Sequence, residues 1–169
     1  PYTVLADGKV YWIIDPYTNS KSFPYSEPYN SREVIDYSEG EQGRQLVNNV
    51  ASHMHGINYL RNSVKVVVNA YNGNISYYVY NEADPIVQVW DKVFPGVLKD
   101  KSEMPEALRS HVRYPVDKLL VQGLVYAKYH MTDPAVFYNQ EDLWVRATEK
   151  YHNNIKPVDP YYIMWEQPG

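Results

Sequence analysis

The chain has 169 residues, a formal net charge of -4, and 44% hydrophobic against 21% charged residues. A fold of this length removes roughly 70% of the unfolded chain's surface from water, which predicts one domain over residues 1–169. The acidic balance argues against nucleic acid as a partner, and the absence of cysteine excludes disulfides and thiolate-bound metals.

The N-terminal segment TVLADGKVYWII predicts a first β-hairpin. Asp7 and Gly8 stand between two β-prone runs, and a two-residue turn favours such a pair because its central positions have positive φ. Residues 15–45 then lose all periodicity and are rich in proline, serine, asparagine and tyrosine. This composition predicts an ordered surface loop.

The stretch VKVVVNAYNGNISYYVYN, residues 64–81, predicts a second hairpin with Asn72 and Gly73 in a two-residue turn. Because side chains alternate between the faces of a strand, one face is apolar and is predicted to face the core. That face consists of Val64, Val66, Val68, Ala70, Ile75, Tyr77 and Val79. The other face is predicted to be open and consists of Lys65, Val67, Asn69, Tyr71, Asn74, Ser76, Tyr78 and Tyr80.

Helical patterns follow the second hairpin. Asp84 suits an N-cap and Pro85 a first helical position, and the apolar residues after them recur at helical spacing until Pro95 and Gly96. SEMPEALRSHVRYP predicts a second short helix, PVDKLLVQGLVYAKYHMTDP a longer one, and Asp133-Pro134 the start of a fourth. The tail YYIMW returns to β composition and is predicted to join the sheet. The order predicts an α+β fold, with an antiparallel sheet built from hairpins and several helices packed on one face.

Tyrosine is the residue type that points to a contact surface. The chain has 18 Tyr but 3 Phe, and a tyrosine ring suits positions where one side packs and the hydroxyl stays wet. A surface for a ligand or partner is therefore predicted on the open hairpin face and the loop before it. Its residues are Tyr71, Tyr78, Tyr80, Tyr17 and Tyr25. Covering of the hairpin face by another part of the protein is the alternative.

Two histidines form the one candidate metal site, since His53 and His55 could share an ion from a strand edge or loop. Ordinary surface histidines are the alternative reading, because no third ligand stands nearby. No glycine-rich phosphate loop, nucleophile elbow or His-Glu zinc motif is present, so no cofactor is expected and a non-enzymatic domain is favoured.

Several phrases together resemble a known family. These are VYWIIDPYTNS, FPYSEP, INYLRNSVKVVVNAYNG, SEMPEALRSHVRYP, YHMTDPAVFYNQEDLW and YYIM. They are similar to an uncharacterised bacterial membrane-protein family, whose members carry several N-terminal transmembrane helices followed by a large extracytoplasmic region. The resemblance implies that the chain is an extracytoplasmic fragment of a longer protein in the cell membrane. A second likeness, of VNAYNGNISYYV to PepSY modules of peptidase propeptides, covers one hairpin only.

Three hypotheses of function follow. The first is a non-enzymatic extracytoplasmic interaction or assembly domain of a multi-pass membrane protein, whose partner is the remainder of its own chain or an envelope protein or glycan. The second is an envelope enzyme or carbohydrate-binding module with its site in residues 15–60, which would use Asp15, Tyr17 and the two histidines. The third is a PepSY-like peptidase-regulatory module.

Overall fold

A computed structural model describes residues 1–29, 52–144, 147–152, 154–163 and 165. The chain divides into two compact units. The first comprises Pro1–Tyr29 and Gly56–Lys118, and the second Asn30–His55 and Leu119–Gly169. The predicted α+β class is confirmed, whereas the single domain expected from chain length stays a prediction.

A five-stranded sheet forms the centre of the first unit. Its strands are β1 (Tyr2–Ala6), β2 (Lys9–Ile14), β5 (Val64–Asn69), β6 (Ile75–Val79) and β7 (Leu98–Asp100), in the order β1-β2-β5-β6-β7. All neighbours in this sheet are antiparallel except β6 and β7, which are parallel and therefore add a crossover to the predicted hairpins. Strands β3 (Thr18–Ser20) and β4 (Tyr59–Arg61) form a separate antiparallel pair in the same unit.

The described helices begin where the sequence predicts. They are α1 (Pro85–Val93), α2 (Glu106–Arg109), α3 (Val116–Tyr129) and α4 (Pro134–Asn139), with 3-10 turns at Ser52–Met54 and Lys101–Glu103. Asp84 caps α1 by accepting from the backbone N–H of Ile86, and Asp133 caps α4 in the same way. Among the described residues, none of the helices has the length and apolar character required to cross a bilayer.

The two predicted hairpins differ in how closely the structure follows them. The first is confirmed, since Asp7 and Gly8 both have positive φ and join β1 to β2. In the second the loop is longer than predicted: a two-residue turn at Asn72 and Gly73 would pair Val66 with Val79, whereas Val66 pairs with Tyr77. The side chain of Asn69 accepts a hydrogen bond from the N–H of Tyr71, which stabilises a four-residue loop instead of a two-residue turn.

The C-terminal tail does not follow the prediction. Residues 158–163, within the described part of the chain, carry no strand, so the expected addition of YYIMW to the sheet is wrong there. Pro160 directly precedes this run and has no N–H to give to a ladder. Strands β8 (Thr148–Tyr151) and β9 (Asn154–Pro157) of the second unit pair with each other. Residues 30–45 of the predicted loop lie outside the described residues.

Candidate functional site

The first face of the five-stranded sheet carries the core of the first unit. Side chains alternate along each strand, so the pairing register assigns every strand residue to one of two faces. The buried cluster of the first face consists of Val4, Ala6, Ile13, Val67 and Tyr78 from the strands, with Met104 and Leu108 from the segment around α2. This face is therefore closed by the protein's own chain.

The tyrosine-rich hairpin face belongs to this core at Tyr78 and Tyr80, so the prediction that it is open is wrong there and the alternative, cover by another part of the protein, is confirmed. Tyr78 is only 6% exposed, and Tyr80 is partly buried with its hydroxyl 3.3 Å from Sδ of Met104. The alternation along the hairpin is as predicted, but both faces carry buried side chains: Lys65, Val67 and Tyr78 on the first face, and Val66 and Val79 on the face predicted as the core. The apolar pattern predicts a core on the more apolar face alone, whereas the structure also buries the mixed face, whose polar groups find partners.

Lys65 illustrates how this face accommodates a charge. Its Nζ lies 2.6 Å from Oδ1 of Asp15 and 3.0 Å from the backbone oxygen of Arg113, and its side chain is nearly fully buried. A buried ammonium is tolerated only when it is paired and hydrogen-bonded in this way. The partners come from the residue after β2 and from the loop between α2 and α3, which are distant in sequence, so a local alternation pattern does not reveal them.

The second face of the sheet is apolar and half open. Trp12, Val68 and Ile75 lie side by side across β2, β5 and β6, and Leu5 and Val10 are paired on β1 and β2. Leu5 is 68% exposed, Ile75 52% and Trp12 44%, while Val10 and Val68 are half-buried. We call these five residues the open face. Surface hydrophobic residues scattered singly are ordinary, but a contiguous group on adjacent strands is typical of a contact surface.

The buried carboxylate of Asp84 connects β3, β4 and α1 through hydrogen bonds. Asp84 is 1% exposed and accepts hydrogen bonds from the hydroxyls of Thr18 and Ser63, both at 2.5 Å, and of Tyr59 at 3.0 Å. Burial alone would raise the pKa of Asp84, but these hydroxyls and the N–H of Ile86 together hold it below its ordinary value. With three hydroxyls donating to it, this carboxylate joins β3, β4 and α1 rather than offering a free acid or base.

The loop tyrosines are dispersed over the first unit. Tyr25 is fully exposed with φ of 58°, and Tyr71 lies exposed in the loop of the second hairpin. Tyr17 is half-buried, and burial together with the charges of Asp117 and Asp15 raises its pKa to about 12. This phenol therefore stays protonated near neutral pH. Whether Tyr17, Tyr25 and Tyr71 contact a ligand stays a prediction.

The candidate metal ligands lie in the second unit. His53 is in the 3-10 turn Ser52–Met54, and both His53 and His55 are exposed. A group of three or more potential His, Asp or Glu ligands does not occur within the described ranges. The metal site therefore stays a prediction with two residues.

The residues of the open face were not singled out from the sequence. One face of the first hairpin carries Val4, Ala6, Tyr11 and Ile13. The other face carries Thr3, Leu5, Val10 and Trp12, so both faces have apolar side chains. Period-two alternation separates the faces but does not say which one is covered. Trp12 was the available signal, because a tryptophan ring on a short edge hairpin brings a large apolar surface.

Comparisons with known proteins give a family but no activity. The model of a family described as "Uncharacterised protein family (UPF0182)" matches residues 1–169. A UPF0182 protein of Pelotomaculum thermopropionicum is 44% identical over the whole chain, one of Salinibacter ruber 46%, and one of Methanospirillum hungatei 43%. The chain spans only 16% of the length of the first two relatives and 17% of the third. No solved structure matches the chain.

Proposed function

The chain belongs to the uncharacterised protein family UPF0182, and on that premise we propose that it is a non-enzymatic docking domain within a much longer polypeptide. The domain attaches through the open face to another part of the same polypeptide. Its role is assembly: it holds that part in place. The surface is the apolar second face of the sheet and not the tyrosine face of the second hairpin.

The observation that carries this proposal is the exposure of Leu5, Trp12 and Ile75 on one face of the sheet, where Val68 of β5 lies between Trp12 and Ile75. Each square ångström of apolar surface removed from water stabilises a contact by about 25 cal/mol. The first face reaches a closed core with the chain's own residues, whereas the second face is left half covered. A partner on the second face would complete a layered architecture, in which a sheet is covered on both sides.

The family supplies the argument for the source of the partner. Relatives from different organisms contain the matched region as about one sixth of their length, so most of each polypeptide lies outside it. A covering segment from the same chain is present at high effective concentration and loses less entropy on docking than a separate protein does.

The proposal places the domain outside the cytoplasm in a multi-pass membrane protein. Support for this location comes from the resemblance of phrases such as VYWIIDPYTNS and YHMTDPAVFYNQEDLW to an uncharacterised membrane-protein family. The absence of a catalytic sequence motif, together with the engagement of Lys65, Asp15 and Asp84 in internal bonds, supports a binding role over chemistry.

The test is the chemical accessibility of the open face in the full-length protein. Ile75→Cys, in a background freed of other cysteines, should be protected from a maleimide in the native full-length protein and should react after denaturation. Asn72→Cys, in the exposed loop of the same hairpin, is the matched control and should react in both states. Equal reaction rates at positions 72 and 75 in the native full-length protein would refute docking on this face.

A further inference from the structure

We propose that the segment covering the open face is an α-helix, supplied by the polypeptide outside these 169 residues, which lies beside α1 on the second face of the sheet. This inference rests on the proposed function and specifies the partner's structure. It follows from the position of α1, from the direction in which its apolar stripe points, and from the width of the uncovered sheet.

The crossover from β6 to β7 determines the face on which α1 lies. The two strands are parallel neighbours joined through α1, and such crossovers are right-handed in about 98% of cases. The N–H of Tyr80 donates to the backbone oxygen of Ser63, so the backbone N–H and C=O groups of Tyr78, two residues earlier, also point toward β5. The side chain of Tyr78 lies on the first face of the sheet. With that orientation a right-handed crossover passes over the second face. The burial of Val66 and Val79 on the second face agrees with this position.

The apolar stripe of α1 faces sideways, toward the uncovered strands. Val87 is the buried residue of the helix and marks the direction of the sheet. At about 100° per residue, Trp90, Val93 and Val89 follow one another around the flank nearer β5 and β2. All three are more than half exposed, and the ring of Trp90 stacks on that of Phe94 at 5.6 Å. Lys92 and Gln88 lie on the opposite flank.

The open face and this flank together form an apolar corner. The floor is the open face, with Trp12 and Ile75 as its largest exposed parts, and the wall is the stripe that contains Trp90 and Val93. An amphipathic helix of a globular protein normally turns such a stripe toward its core. Here the stripe is exposed beside an exposed sheet surface, so one occupant placed in the corner would cover both.

The dimensions favour a helix as that occupant. Strands lie about 4.8 Å apart, so β1, β2 and β5 offer roughly 10 Å of width beside α1. A helix has a diameter of about 10 Å and packs 8 to 10 Å from its neighbour, and it therefore fits this width. A second sheet would have to extend over α1, which already stands on the same face. Relatives about six times as long as the matched region contain ample chain for such a helix.

The experiment is photo-crosslinking in the full-length protein from p-benzoylphenylalanine placed at position 12 in one variant and at position 90 in another. A third variant carries the probe at position 92, on the opposite flank of α1, as the control. The expected result is that positions 12 and 90 both capture one segment outside the 169 residues, in the same polypeptide, at residues spaced three or four apart. Position 92 should not capture that segment.

The possible results separate this inference from the proposed function. Capture of one segment at residues spaced two apart, or of different segments from positions 12 and 90, would overturn the helix while leaving docking within the polypeptide standing. Capture of lipid, of another protein, of a second copy identified by isotope mixing, or of residues within the 169 would overturn both. Lack of any crosslink from position 12 would do the same.

Discussion

Lys65 and Asp15 form an ion pair on the core side of the five-stranded sheet, with 2.6 Å between Nζ and Oδ1 and little exposure of either side chain. Lys65 is the second residue of β5, directly opposite Tyr78. The pair is therefore the reason that the mixed face of the second hairpin is able to lie against the core. The apolar face is then covered only in part, with Val66 and Val79 buried and Ile75 exposed.

The first prediction concerns this ion pair. Asp15→Asn should lower the free energy of unfolding by about 3 to 5 kcal/mol, because it leaves the ammonium of Lys65 buried without its counter-charge. The double variant Lys65→Met, Asp15→Asn should recover most of that loss, since it removes the charge as well as its partner. Urea denaturation of wild type and both variants measures this. A double variant as unstable as the single one would contradict the argument.

The second prediction concerns pH and Asp84. The pKa of Asp84 is lowered in the folded protein. As the pH falls, the Asp84 carboxylate therefore takes up a proton at a higher pH in the unfolded chain than in the folded chain. The stability that the charged carboxylate contributes is therefore present above about pH 4 and is lost as the pH falls through the folded pKa. Asp84→Asn should be less stable than wild type by about 1 to 3 kcal/mol at neutral pH. The gap should narrow below about pH 4 in urea titrations.

Thr18→Val provides the control for the source of this pKa shift. Thr18 donates one of the hydrogen bonds to Oδ2 of Asp84, and its removal should move the acid loss of stability to higher pH. A stability gap between wild type and Asp84→Asn that stays constant from neutral pH to about pH 2 would show that the charge contributes nothing.

The third prediction separates the buried hairpin tyrosine from an exposed one. Tyr78→Ser should lower the free energy of unfolding by about 3 to 5 kcal/mol, because it empties a ring-sized volume in the core. Tyr71→Ser, at an exposed loop position of the same hairpin, should change it by less than about 0.5 kcal/mol. Denaturant titration measures both. Equal effects of the two substitutions would indicate that Tyr78 is exposed, as the alternation pattern predicts, and not part of the core.

The sequence predicted those parts of the fold that depend on neighbouring residues. Asp7-Gly8 supplies the positive φ values of a tight turn, and Asp84-Pro85 supplies a cap and a first helical residue, so each feature is local in its cause. The longer loop of the second hairpin was missed because a side chain, that of Asn69, stabilises it. Turn propensity alone favoured the pair Asn72-Gly73.

The choice of core face could not be made from local pattern. Alternation correctly separated Tyr78 and Lys65 from Val66 and Val68, but the covered face depends on partners such as Asp15 and Met104 that are distant in sequence. The open face was missed for the same reason. A strand that is apolar on both sides is compatible with a sheet whose two faces are both covered. The segment proposed to cover the second face lies outside the 169 residues.

The last prediction tests the open face in the isolated 169-residue chain. Without the covering segment, the chain should bind anilinonaphthalene sulfonate, a dye that fluoresces on exposed apolar surface. The double variant Trp12→Ser, Ile75→Ser should lose most of that fluorescence, because it removes the two largest exposed side chains in the row across β2 and β6. Tyr138→Ser, which removes an exposed aromatic ring from α4, is the matched control and should retain it. If the two variants bind the dye equally, the exposed apolar surface is not concentrated on this face, and the docking proposal loses the observation that carries it.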